Sequence, residues 1–117
     1  MKQENRKTGN LGESLAVDFL KEKGFEIITR NFATRFGEID IVVKKDGVLV
    51  FVEVKTKRGD FFGSPEEMVG RNKVERVRRM AQIYLDGEEA ACRIDMVAVV
   101  LGTDDRVVRI NHYKNLT

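Results

Sequence analysis

The chain has 117 residues, of which 42% are hydrophobic and 34% charged. This profile excludes an intrinsically disordered chain, and the length suits one domain over residues 1–117. No apolar run approaches the ~20 residues that cross a bilayer, and no apolar segment follows the charged N-terminus. We therefore expect no membrane span, no signal peptide and a cytoplasmic location. We also expect Cys92, beside an apolar run, to be a buried inert thiol, and His112, the lone histidine, to lie at the surface.

Positive charge is concentrated in the middle of the chain. The net charge is only +2, but residues 55–79 carry eight basic and four acidic side chains. A local basic zone on a near-neutral protein favours a polyanionic partner such as nucleic acid. On charge alone, a solvated helix face is the simpler interpretation.

The first half of the chain predicts one helix and three strands. Apolar residues at helical spacing predict a helix over residues 10–23, which Gly24 ends. Short runs rich in Ile and Val follow, separated by polar turns. The predicted strands are residues 25–30, 38–44 and 48–56.

The second half predicts a crossover helix between strands. A loop is expected at residues 57–64, and Ser64-Pro65 is typical of a helix start. That helix is predicted to run to about residue 85, with a potential interruption at Gly70. Two strands, 91–101 and 106–112, complete the order αβββαββ. This order predicts an α/β fold with a mixed five-stranded sheet flanked by helices, in which the third and fourth strands form a parallel unit.

The Asp46-Gly47 pair predicts the register of the hairpin between the second and third strands. A two-residue loop would pair Lys45 with Val48, and counting back from there places Asp40 opposite Glu53. Lys55 would follow two residues along on the same face.

Two like charges facing each other within apolar strands are destabilising unless a positive group neutralises them, and the two candidates are Lys55 and a divalent cation. Oxygen ligands of this kind suit Mg²⁺ or Mn²⁺. In the alternative interpretation the strand face is exposed, Glu38 pairs with Lys55 across the hairpin, and Asp40 and Glu53 point into water.

Two motifs, Gly37-Glu38-Ile39-Asp40 and Phe51-Val52-Glu53-Val54-Lys55, resemble the PD-(D/E)xK nuclease superfamily. In that group an Asp on one strand and Glu-x-Lys on the next form the active site. Ile39 stands where the family name has proline. A wider resemblance covers nearly the whole chain and is to the YraN-type family of uncharacterised bacterial proteins, which is similar to the archaeal Holliday-junction resolvases. Its further matching residues are Gly12-Glu13, Ala16, Leu20, Gly24-Phe25, Asn31-Phe32, Lys73, Ala81, Tyr84-Leu85 and Arg93-Ile94-Asp95.

The resemblance implies a restriction-endonuclease-like fold and a role for each matching site residue. Asp40, Glu53, the carbonyl of Val54 and Glu13 on the first helix would bind Mg²⁺ or Mn²⁺. Lys55 would position or polarise the attacking water. Glu13 also suits an alternative role in capping the start of its helix.

The resemblance also implies contacts with nucleic acid. Lys73 would contact phosphate or a carboxylate, with a snorkelling surface lysine as the alternative. Phe61 and Phe62 would either stack on bases or anchor their loop. The residues expected to hold the phosphate backbone are Lys57, Arg58, Arg71, Lys73 and Arg76.

The implied function is metal-dependent hydrolysis of phosphodiester bonds in branched or otherwise structured DNA. A homodimer is expected if the resolvase analogy holds. Two other functions fit the sequence: a non-catalytic nucleic-acid-binding module indifferent to Mg²⁺, and a protein–protein adaptor that uses a sheet edge. Asp95 and Arg93 are expected to form a structural ion pair rather than a metal site.

Overall fold

A computed structural model of the chain describes residues 2–59 and 70–116, with side chains from Arg6 onward. The described residues form two helices and five strands in the predicted order αβββαββ. The elements are α1 (Lys2–Glu22), β1 (Glu26–Thr34), β2 (Gly37–Lys45), β3 (Val48–Arg58), α2 (Arg71–Leu85), β4 (Cys92–Leu101) and β5 (Val107–Tyr113).

Three predicted boundaries were wrong. Helix α1 begins at Lys2 rather than residue 10, because its first two turns are polar and carry no apolar periodicity. Strand β1 continues to Thr34, since Asn31 adopts a φ of 54° and bends the strand without ending it. Strand β3 continues to Arg58, so Lys57 and Arg58 belong to a strand and not to the predicted loop.

The described part of the predicted crossover helix follows Gly70. Gly70 is extended, with φ −76° and ψ 167°, and helix α2 begins at the next residue, Arg71. Gly70 itself is therefore not helical. The predicted helix start at Ser64, together with Phe61 and Phe62, falls outside the described residues.

The five strands form one mixed sheet in the order β1-β2-β3-β4-β5. Strands β3 and β4 are parallel and are connected through α2, as predicted, and the other neighbours are antiparallel. Asp46 and Gly47 have φ values of 51° and 78°, and Lys45 pairs with Val48. The predicted two-residue hairpin and its register are thus confirmed. This is the restriction-endonuclease-like fold that the sequence implied.

Among the described elements, α1 covers one face of the sheet and α2 covers the other. On the α1 face, Ala16 and Leu20 pack against a cluster that includes Val50 and Val52. On the α2 face, apolar side chains of α2 pack against Phe51. Strand β3 is therefore buried on both sides at its centre, which explains its unbroken apolar run. Within the described residues, neither helix is apolar enough over a sufficient length to cross a membrane.

Candidate active site

A break in the pleat of β2 positions Asp40. Ile41 packs on the α1 face, whereas Ile39 and Val42 both pack on the α2 face. Strict alternation would put residues 39 and 41 on the same face, so the strand rotates at Asp40. The neighbouring strand bends at the same level, where Asn31 has a positive φ. As a result, Asp40 lies just beyond the last regular pair between β2 and β3, while β2 stays paired with β1.

The ladder between β2 and β3 ends at the pair Ile41–Val52. The prediction that Asp40 lies directly opposite Glu53 was therefore wrong in detail. The Asp40 carboxylate instead reaches across to β3, where its Oδ2 accepts a hydrogen bond of 2.8 Å from the backbone N–H of Val54. A side-chain oxygen thus takes the place of a carbonyl in the ladder, and it fixes Asp40 between the two strands.

Glu13 approaches this point from α1 because that helix packs very closely on β3. A Cβ added to Gly12 would lie 1.8 Å from Oγ1 of Thr56, so only glycine fits there. Glu13, Glu38 and Asp40 can each place a carboxylate oxygen within 4.8 Å of the others. The alternative that Glu13 caps its helix was wrong, since α1 begins at Lys2 and Glu13 lies in its interior.

The Glu13 carboxylate is only partly compensated. Glu13 is 8% exposed, and its Oε1 is buried without a hydrogen-bond partner among the described residues. The nearest positive group is Nε of Arg30, 3.6 Å from that oxygen. Glu38 forms no ion pair with Lys55, contrary to the alternative interpretation of the strand face, because β2 has already separated from β3 at this level.

Glu53 lies on the α2 face and contacts Lys73. Its Oε2 is 3.3 Å from Nζ of Lys73, and the two side chains are 7% and 49% exposed. Lys73 therefore reaches the sheet and contacts a carboxylate, instead of extending into solvent as a snorkelling lysine. Arg76, one turn along α2, lines the same open cleft as Glu38, Glu53 and Lys73.

The carboxylates resist ionisation in this environment. Burial, reinforced by the charge of Asp40, raises the pKa of Glu53 to about 7 even though Lys73 opposes the shift. Burial also raises the pKa of Asp40, and the charge of Glu38 raises it further. The hydrogen bond from the Val54 N–H and the charge of Lys73 lower this pKa without cancelling the rise. The pKa of Glu13 is raised by burial and then by Asp40. Burial is the largest cause of each of these three shifts, so the site disfavours the charged form of all three carboxylates.

Lys55 is half-buried beside these acids, on the same strand as Glu53. Burial lowers the pKa of Lys55, and the positive charges of Lys57 and Lys73 lower it further, whereas Glu53 acts in the opposite direction. Asp40 thus connects two parts of the predicted site: its carboxylate lies within 4.8 Å of Glu13, and it interacts electrostatically with Glu53. Lys73 contacts Glu53, and Lys55 interacts electrostatically with both of these residues. Glu53 does not belong to the group of three carboxylates that converge within 4.8 Å.

The donors fit a hard divalent cation. All are oxygen atoms, three can converge within 4.8 Å, and one buried carboxylate oxygen has no hydrogen-bond partner. Such a set suits Mg²⁺ or Mn²⁺ better than softer metals. Glu38 is the residue that the sequence interpretation missed. Its spacing of two from Asp40 was the available signal, but the hairpin register had assigned Glu38 to Lys55.

Two of the predicted phosphate-binding residues lie away from the cleft. Arg58 donates hydrogen bonds to Oγ1 of Thr8 and the carbonyl of Gly102, and it forms an ion pair with Asp105. Its guanidinium is thereby held at the far end of β3. Arg71 is exposed at the first position of α2.

A second buried polar cluster lies on the α1 face near β5. Asp95 is fully buried and bonds to Nε of Arg93 at 2.9 Å, to Nε2 of His112 at 2.7 Å and to the N–H of Asn115 at 2.9 Å. The predicted Arg93–Asp95 ion pair is confirmed. The surface position predicted for His112 was wrong, because its side chain is only 3% exposed. Its antiparallel pairing with β4 carries it inward, which no local pattern reveals.

The orientation of His112 follows from its partners. Nζ of Lys23 lies 3.0 Å from Nδ1, and an ammonium group only donates, so Nδ1 accepts and Nε2–H donates to Asp95. The buried Asp95 carboxylate is therefore paired on both of its oxygens, which indicates a structural role for this network. Cys92 is exposed, contrary to prediction, because the buried part of β4 begins at Ile94.

Comparison with known proteins identifies relatives along almost the whole chain. The model of the uncharacterised protein family UPF0102 matches residues 12–99. A UPF0102 protein of Syntrophomonas wolfei is 42% identical over 114 residues, covering 95% of this chain and 97% of its own. One from Symbiobacterium thermophilum is 45% identical over 106 residues, covering 88% and 90%. One from Caldicellulosiruptor saccharolyticus is 42% identical over 113 residues, covering 94% and 96%. The matched segment contains the complete acidic site, and the chain belongs to the uncharacterised protein family UPF0102.

Proposed function

We propose that the chain is a metal-dependent endonuclease that hydrolyses phosphodiester bonds in branched or otherwise structured DNA. One observation carries the proposal: carboxylates from α1 and β2 converge within 4.8 Å, near the buried Glu53 of β3 and a half-buried lysine, and the pKa values of three of these acids are raised. A sheet selected for stability alone would not retain this arrangement, since each unneutralised charge opposes folding. Binding a cation is the simplest way to stabilise it.

Mg²⁺ or Mn²⁺ would be held by Glu13, Asp40, Glu53 and the carbonyl of Val54, with Glu38 as an additional carboxylate. When bound, such an ion polarises a phosphate oxygen and lowers the pKa of water. The Val54 N–H holds the Asp40 carboxylate in place through its hydrogen bond of 2.8 Å, so this ligand is oriented before any ion arrives.

Lys55 supplies positive charge next to the reacting phosphate. Its ammonium would orient the attacking water and stabilise the negative charge that grows on the phosphate oxygens in the transition state. Because burial and neighbouring lysines lower the pKa of Lys55, its proton is also held less tightly than that of an exposed lysine. Both properties suit a group that positions water at neutral pH.

The cleft suits a phosphate backbone and offers little to read base sequence. Lys73 and Arg76 line its α2 side above the acids. Contacts of this type position a nucleic acid without specifying its bases, so selection by substrate shape is expected. Branched DNA and a homodimeric enzyme are proposed from the likeness to junction resolvases, whose two symmetric cuts need two active sites.

A cleavage assay tests the proposal. Labelled four-way junction, fork, single strand and duplex are incubated with Mg²⁺, Mn²⁺ or EDTA, using wild type, Asp40→Asn and a control, Asp46→Asn. The control alters an exposed turn position whose φ of 51° asparagine tolerates. We expect cleavage that requires metal and falls at least about 100-fold in Asp40→Asn only. If wild type binds these DNAs without cutting any of them, the chain is a non-catalytic binding module.

A further inference from the structure

The turn between β1 and β2 presents an aromatic side chain to solvent. Phe36 is 55% exposed, and it is the one aromatic residue among the large exposed hydrophobic side chains of the described segments. An exposed phenylalanine ring gains nothing from the core, and its hydration is unfavourable. A role in contacting something outside the chain would account for its position.

The turn that carries Phe36 is held in a defined shape. The N–H of Phe36 donates to Oγ1 of Thr34 at 3.1 Å, and that hydroxyl donates in turn to Sδ of Met80 on α2 at 3.3 Å. Gly37 has a φ of 150°, which lets the chain re-enter β2 directly after the ring. The ring is thus presented from a tip anchored to the second helix.

Cations lie close to the ring on two sides. The guanidinium of Arg35 lies over one face, with its Cζ 4.8 Å from the ring centroid. Phe36 also lines the cleft that contains Glu53, Lys73 and Arg76. An aromatic surface beside cations is the combination by which proteins hold single-stranded nucleic acid, since bases stack on the ring while phosphates contact the cations.

We propose that Phe36 stacks on an unpaired base next to the phosphate held in the cleft, so that the chain prefers DNA with single-stranded character over uninterrupted duplex. The inference rests on the proposed function and names the feature of branched DNA that is recognised. In a continuous duplex both faces of each base are covered by neighbours, whereas a fork or junction offers an accessible face. The cations beside the ring, which are Arg35, Lys73 and Arg76, favour a polyanion over an apolar protein segment as the occupant.

The test measures binding without cleavage. A fork carrying 2-aminopurine at the unpaired position nearest the branch is titrated in EDTA with wild type, Phe36→Ala, Phe36→Tyr and Val108→Ala, and a matched duplex is titrated in parallel. Val108, on β5, is 58% exposed and serves as the control for loss of an exposed apolar side chain. Circular dichroism and thermal unfolding establish that each variant is folded.

We expect Phe36→Ala to weaken fork binding about 5- to 100-fold, with little change for duplex, and to abolish the fluorescence change that stacking causes. Phe36→Tyr retains an aromatic face and should bind as wild type does, as should Val108→Ala. Equal losses for fork and duplex, or unchanged fork binding in Phe36→Ala, would overturn the inference. A change in sedimentation of Phe36→Ala with unchanged DNA binding would also overturn it and assign the ring to a contact between copies.

Failure of the nuclease proposal gives a different result. If wild type prefers forks to duplex through Phe36 but cuts no DNA in the presence of metal, the stacking inference stands and the proposed activity fails. If wild type and Phe36→Ala cut branched DNA equally well, the proposed activity stands and the stacking inference fails.

Discussion

Glu53 provides a quantitative test of how strongly the site opposes ionisation. Its pKa is raised from 4.5 to about 7, mainly by burial. Between these values the folded chain holds a proton that the unfolded chain has released, so wild-type stability should fall as pH rises through this window. At 1.36 kcal/mol per pKa unit, the whole shift corresponds to at most about 3 kcal/mol. Glu53→Gln has nearly the same shape and no titration, and it should escape this loss.

The measurement is urea unfolding of wild type and Glu53→Gln in EDTA at pH 4.5 and pH 8. The difference in unfolding free energy between the two proteins is compared at the two pH values. The effect of amide packing is the same at both pH values and therefore cancels. We expect the variant to gain up to about 3 kcal/mol relative to wild type on going to pH 8. A difference that is the same at both values, or that shifts in favour of wild type at pH 8, would refute the raised pKa of Glu53.

Two further predictions concern the parts of the fold that support the site. Gly12→Ala should lower the free energy of unfolding by about 1–3 kcal/mol in urea unfolding, because the added Cβ meets Thr56. A more stable variant would contradict the close approach of α1 to β3. Burial would raise the pKa of Asp95, but bonds from His112, Arg93 and a backbone N–H outweigh it and hold the pKa below 3.8. Its stabilisation is therefore present above the unfolded pKa and lost as pH falls through the folded value. Asp95→Asn should cost about 3 kcal/mol at pH 7 and distinctly less near pH 3, and an equal cost at both would exclude the predicted titration.

Much of the fold could be predicted because its signals are local. The Asp46-Gly47 turn fixed the register of β2 and β3 to the correct residue, as the pairing of Lys45 with Val48 shows. The order of the elements predicted a mixed sheet in which β3 and β4 are parallel, and the structure has this arrangement. The end of α2 was predicted at about residue 85, and the helix ends at Leu85.

The errors arose where distant segments decide the geometry. Extrapolating the register to Asp40 and Glu53 failed because β2 rotates at Asp40, next to the positive φ of Asn31 on the adjacent strand. No spacing within β2 alone reveals that rotation. The burial of His112 likewise depends on pairing with β4 and on ring contacts to Phe19 and Phe25, whose centroids lie 6.3 and 5.8 Å away.

The position of Glu13 required knowledge of packing between α1 and β3. The absence of a side chain at Gly12 brings the helix against Thr56 and places Glu13 next to Asp40 and Glu38. The family resemblance pointed to Glu13, but the reason why Glu13 lies next to Asp40 is visible only in the packed fold.

The most direct test of the metal-dependent site is to locate a bound cation. Crystals grown with Mn²⁺ would be measured at the manganese absorption edge, at a concentration that supports cleavage in solution. We expect an anomalous peak among the carboxylates of Glu13, Asp40 and Glu53, and no such peak in crystals of Asp40→Asn. A wild-type map without a peak at these residues, or with its strongest peak elsewhere, would contradict the proposal that the acidic cluster is a catalytic metal centre.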